Sequence, residues 1–146
     1  MKRFAIAIAL GAASISAFAQ MTPVGLWRSI SDKDGSVTAE IRIAEFNGVM
    51  SGKIEKQLGA KAKPDDKCKE CTDDRKDQPI IGLEIIRNAK KNENKDVWEG
   101  GNILDPDEGK VYKLKLTPIE GVKKLEVRGF IGYALLGRTQ TWVRAQ

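Results

Sequence analysis

The sequence contains no histidine. That removes Ser-His-Asp and Cys-His catalysis and the commonest metal ligand together. Cysteine occurs only twice, as Cys68 and Cys71. A strong charge of one sign is also missing: 25 basic against 20 acidic side chains give a formal net charge of +5. That excess is too mild to argue for nucleic acid, and no Arg-rich stretch is interleaved with aromatics. A mixed-charge soluble surface and no nucleic-acid partner are expected. Past the first twenty residues no apolar run approaches the ~20 residues of a spanning helix, so no stable membrane insertion is expected. Paired carboxylates at a recognisable spacing, a nucleophile motif and a cofactor fingerprint are all absent. Enzymatic activity is therefore the least favoured class, with neither cofactor nor metal expected.

What is present begins with an export signal. Lys2 and Arg3 make a charged start, Phe4 to Leu10 an apolar run, and Ala17-Phe18-Ala19 a small-x-small cleavage pattern. Cleavage after Ala19 predicts residues 1–19 as signal peptide and 20–146 as one domain, periplasmic or secreted. The absence of Cys just after that site argues against a lipid anchor. Removing Lys2 and Arg3 leaves 23 basic against 20 acidic side chains, a formal charge of +3.

The mature chain alternates apolar and polar residues in short segments. Val37 to Ile43 does so, and Asn47-Gly48 then supplies a tight hairpin turn. Val49 to Gln57 follows, with Met50, Gly52 and Ile54 on one face. From Leu58 to Gln78 the pattern fails in a charged stretch of a length that usually marks a lid or binding loop. Pro79 to Ile86 predicts a fourth strand, Asn88 to Lys95 a polar turn, and Asp96 to Ile103 a fifth strand with a bulge at Gly100-Gly101. Val111 to Leu116 points Tyr112, Leu114 and Leu116 inward, and Pro118 to Val122 turns the chain. Leu125, Val127, Gly129 and Ile131 form the next inward face, and Arg138 to Arg144 is the last strand. Eight strands with short connections predict an all-β protein, an eight-stranded antiparallel up-and-down barrel, with a two-sheet sandwich as the rival.

Strand counting in an up-and-down barrel sorts the ends. Gly25-Leu26-Trp27 opens the first strand at a closed base, where the glycine admits a neighbouring backbone and the indole plugs the floor. The last strand then ends at the base, so Arg144 falls beside Trp27 and offers cation–π attraction and carbonyl bonds. Loops at 31–36, 58–78, 104–109 and 132–137 fall at the mouth.

The motifs Gly25-x-Trp27, Cys68-x-x-Cys71, Gln78-Pro79-Ile80-Ile81-Gly82-Leu83, Trp98-x-Gly100-Gly101, Arg128-Gly129-Phe130-Ile131-Gly132 and Gly137-Arg138-Thr139-Gln140-Thr141-Trp142 follow one another in order. Together they resemble a family of exported bacterial proteins, domain of unknown function 2147, over nearly all of the mature chain. The resemblance implies a lipocalin-like (calycin-type) eight-stranded barrel and no settled activity. By fold analogy it implies a small apolar ligand.

Three constellations carry the chemistry. Arg138, Gln140, Trp142 and Arg144 share one parity on the last strand. In one reading Arg138 anchors an anionic headgroup at the mouth, while Trp142, Trp98 and Tyr112 line an apolar wall with Gln140. In the other, the bore is filled by side chains and these residues are core or solvated surface. Cys68 and Cys71 form a local disulfide in an oxidising compartment, a redox pair, or half of a zinc site completed by carboxylates such as Asp65, Asp66, Asp73 or Asp74. Asp105, Asp107 and Glu108 do not have the spacing of an EF-hand loop, and turn chemistry accounts for them. The expected function is a carrier of a small hydrophobic or amphipathic ligand. The alternative is a protein-interaction or inhibitor module working through its mouth loops over a filled barrel.

Overall fold

The computed structural model describes residues 21–133 and 135–145. The expected signal peptide and its cleavage site lie outside these residues. Eight segments of extended, alternating character form β1 (Gly25–Ile30), β2 (Val37–Phe46), β3 (Val49–Gln57), β4 (Glu84–Lys91), β5 (Trp98–Asp105), β6 (Lys110–Ile119), β7 (Lys124–Phe130) and β8 (Gly137–Arg144). Each pairs antiparallel with its sequence neighbour, and β8 returns to β1. The sheet is therefore a closed up-and-down barrel and the sandwich is excluded. The closing pairs are Trp27–Arg144 and Arg28–Val143.

Turn chemistry sets much of the register. Asn47 and Gly48 have φ of 51° and 77°, the left-handed pair a two-residue hairpin requires. The pairing of β5 with β6 shifts between Glu99 and Gly101, so the expected bulge is present. Closure puts Trp27 opposite Arg144.

Several boundaries differ from those read off the sequence. The fourth strand starts at Glu84 rather than Pro79, because residues 79–83 belong to the long loop and Pro79 bridges back to Lys67. That strand runs on through Asn88, whose φ of 61° marks a kink, as far as Lys91. β6 likewise continues through Pro118, opposite Leu125 near the strand end, and the chain turns at Glu120, Gly121 and Val122, all with positive φ. Ile131, expected to face inward, lies past the end of β7 and is exposed.

Inward side chains fill the half of the barrel nearest the base. Trp27, Ile43, Met50, Ile86, Leu114, Leu116 and Leu125 are fully buried. Each such side chain contributes roughly 1.5–3 kcal/mol in transfer free energy. Above this layer the bore opens.

Candidate functional site

The base is locked from both chain ends. The Trp27 indole N–H donates to the Pro23 carbonyl at 2.7 Å. The Arg144 guanidinium lies 4.2 Å from the indole centroid and donates to the carbonyls of Val122 (2.6 Å) and Val24 (3.1 Å). Burial pushes the Arg144 pKa down from its ordinary value. That value is so high that the group stays charged at neutral pH. Strand counting puts Gly25, Trp27 and Arg144 at this end, and in the structure Trp27 pairs with Arg144.

At the other end a cavity of about 870 Å³ opens between the mouth loops. Its walls include Ile41, Ile54, Ile85, Ile103, Val127 and Trp142, with the neutral polar groups of Ser29, Gln57 and Gln140 among them. The charged lining residues all sit on or beside the mouth loops: Asp32 and Lys33, the long loop, the turn at Asp105 to Glu108, and Arg138. The bore is thus open above Trp142, and of the two readings of the last strand the filled bore describes only the base half.

The expected ligand residues separate on this map. Trp142 is buried, lines the cavity and donates its indole N–H to Gln140 Oε1 at 3.2 Å. Tyr112 is half-buried nearer the rim, its hydroxyl 3.4 Å from Glu108 Oε2. Arg138 is at the mouth, as strand counting requires, but its Nε lies 3.1 Å from Asp32 Oδ2, so a carboxylate of the chain already neutralises it. Trp98 does not line the cavity. It begins β5 just after a base turn, where it is buried opposite Leu116 with the Lys91 ammonium 5.8 Å from its ring. Strand direction alone puts it there.

The long loop closes one side of the mouth. Cys68 and Cys71 are joined in a disulfide, Cα atoms 5.4 Å apart, and both are buried. The bond consumes the thiolates that zinc would need, and the pair sits in a loop rather than at a helix start. The Gln78 carbonyl accepts from the Cys68 N–H at 2.8 Å, and the Asp77 N–H donates back to the Cys68 carbonyl at 3.0 Å. The loop also meets the β5–β6 turn at Gly109, where a Cβ would lie 1.9 Å from the Glu70 carbonyl oxygen. Only glycine permits that contact, and its φ of 70° adds the same demand.

Sequence reasoning missed the tethers that hold this loop to the wall. Arg75 is buried inside it, gripping the Asp73 carboxylate and donating to the Glu84 carbonyl at 2.9 Å. Hydrogen bonds from the Arg75 side chain and backbone lower the Asp73 pKa to about 2. Asp74 takes a two-pronged bond from Arg87 on β4, which also holds Glu84. In one dimension these residues look like any solvated charge run, and only the fold brings Arg87 to Asp74. The lysines at 61, 63, 67 and 69 are exposed, as that charge pattern predicts.

A closed eight-stranded barrel with one plugged end and a cavity at the other has the architecture of a lipocalin. The chain belongs to the family described as "uncharacterized protein conserved in bacteria (DUF2147)", whose model matches residues 25–144. Its fold is similar to that of protein HP1028 from Helicobacter pylori, described as belonging to the lipocalin family. The two share 20% sequence identity with a TM-score of 0.70, over 84% of this chain and 82% of that one. No curated protein matches the sequence.

Proposed function

We propose that this is an exported bacterial carrier that holds a small hydrophobic or amphipathic molecule in its barrel. The observation that carries this reading is the cavity of about 870 Å³, walled by apolar side chains with neutral polar groups among them. Ligand sites commonly occupy ~300–1,000 Å³ with few, placed polar groups. An apolar body would rest toward Trp142 and Val127, with Gln140 within reach of a polar atom. The polar end would lie near Tyr112 and Arg138, where an anionic headgroup must compete with Asp32 for the guanidinium. An interaction module over a filled bore does not match an open cavity. Nor does the site present a nucleophile with an adjacent base, so binding without catalysis is the proposal. Export, with residues 1–19 removed and 20–146 forming the domain, is supported by the signal pattern. The disulfide Cys68–Cys71 suits an oxidising compartment.

The test is displacement of a fluorescent apolar probe by lipid extracts, with native mass spectrometry of the protein as purified. Ala39→Phe adds a ring at the cavity wall without removing core, and is expected to weaken binding about tenfold, or ~1.4 kcal/mol. A variant that binds the probe as tightly as the parent would show that the probe does not enter the bore.

A further inference from the structure

Most exposed apolar residues on this surface occur singly. Phe46, at the tip of a base hairpin, is 79% exposed with no large apolar neighbour beside it in that turn, and lone cases of this kind are ordinary. The connection between β7 and β8 is different. Ile131, Tyr133, Leu135 and Leu136 lie within six residues and are all exposed, Leu135 at 91%. Backbone bonds give this connection a shape, from Ile131 N–H to the Leu136 carbonyl (3.3 Å) and from Leu136 N–H to the Tyr133 carbonyl (2.9 Å). Ile131 and Leu136 also border the cavity, so the apolar tip is continuous with its entrance. Keeping four such side chains in water without a role is costly, and clusters of this kind mark contact surfaces.

The charge beside the tip says what covers it. Lys113 on β6 and Arg128 on β7 flank the loop, and the Lys113 ammonium reaches the Gly132 carbonyl at 3.4 Å. Lys115, opposite Arg128, adds a third cation, shared with Glu99 at 3.8 Å. Aliphatic side chains with a tyrosine, backed by cations, match a lipid surface with anionic headgroups: the apolar groups enter the boundary region and the cations meet the headgroups. We propose that the β7–β8 loop is a membrane-docking tip that seats the mouth of the barrel on an anionic bilayer. Contact is peripheral; among the described residues no helix is long and apolar enough to cross a membrane. The acidic turn at Asp105 to Glu108, elsewhere on the rim, is repelled by such a surface and tilts the barrel onto its β7–β8 side.

The experiment is co-sedimentation of the mature protein with vesicles of phosphatidylcholine alone, or with a quarter of phosphatidylglycerol added. Binding to the mixed vesicles is expected, weakening as salt rises. The double variant Tyr133→Ser, Leu135→Ser should bind about tenfold more weakly, since both apolar anchors are lost. Both positions are exposed and outside the cavity lining, so unchanged melting and probe uptake serve as controls. Lys113→Glu should weaken binding about fivefold on mixed vesicles and leave the weak binding to phosphatidylcholine unchanged. The proposal is overturned if the parent does not sediment with mixed vesicles, or if the double variant sediments as the parent does. It is equally overturned if the parent is a dimer that the double variant loses, because a second copy would then cover the loop.

Discussion

Trp27 and Trp142 are both buried indoles facing into one barrel, and Arg144 and Arg138 are both inward-parity arginines on one strand. At the base, the Trp27 N–H and the Arg144 guanidinium are satisfied by backbone carbonyls of the segment before β1 and of the β6–β7 turn. Those acceptors are fixed, so the arrangement is a lock. Toward the mouth, Trp142 donates to the side chain of Gln140, and Arg138 pairs with the exposed carboxylate of Asp32. Those partners are side chains, with rotamers of their own, where the base has backbone. The same residue types thus stand in different company at the two ends, and the difference lies in whether backbone or side chains supply the acceptors.

Breaking the lock should have the largest effect. Trp27→Ala removes the base plug and strands Arg144 without its ring, and should cost about 3–5 kcal/mol, read by chemical denaturation. A loss below ~1 kcal/mol would mean that the base can collapse around the gap and is not the stiffer end. At the mouth the expected losses are smaller and local. Replacing Cys68 and Cys71 together by Ala should cost roughly 2 kcal/mol by chain entropy for so short a loop. Faster amide exchange confined to residues 66–80, with the base unchanged, would locate that loss in the loop. If exchange rose equally in β1 and β8, the two ends would not be separable units.

The smallest effect is a pH dependence of the mouth. Arg75 holds the Asp73 carboxyl at about 2, below its ordinary 3.8. A depressed folded-state pKa contributes stability that is fully present above the ordinary value and is lost as pH falls from about 4 toward about 2. Because the Asp73 side chain is 36% exposed, solvent screening should keep this contribution under ~1 kcal/mol. Amide exchange of the long loop should rise across that window in the parent. In Asp73→Asn it should be raised already at neutral pH and vary little over the same range. A parent loop insensitive to acid would remove the Asp73–Arg75 tether from the account.

Strand number, the direction of each strand and the sorting of loops to base or mouth were all legible in the sequence. Local rules carry them: alternation of period two marks the strands, and Asn47-Gly48 and Gly100-Gly101 mark turn and bulge. The pairing of Trp27 with Arg144 follows, because an even number of up-and-down strands returns the chain to its starting end. The run from Pro79 to Leu83 misled, since its apolar residues pack from a loop, Ile80 and Leu83 buried, instead of forming a ladder.

Three things belonged to the tertiary structure alone. Whether the bore is filled depends on the volumes of inward side chains summed across eight strands, which no single strand's pattern contains. The tethers from Asp73, Arg75 and Asp74 to β4 depend on where a loop of irregular backbone comes to rest. The company kept by Arg138 depends on Asp32, a residue more than a hundred positions away that only barrel closure brings beside it. Alternation and turn chemistry act between near neighbours, so they suffice to specify a closed barrel whose first and last strands meet at one end. The open cavity and its rim were decided by the closed fold, because packing and ion pairing act between residues that meet only there.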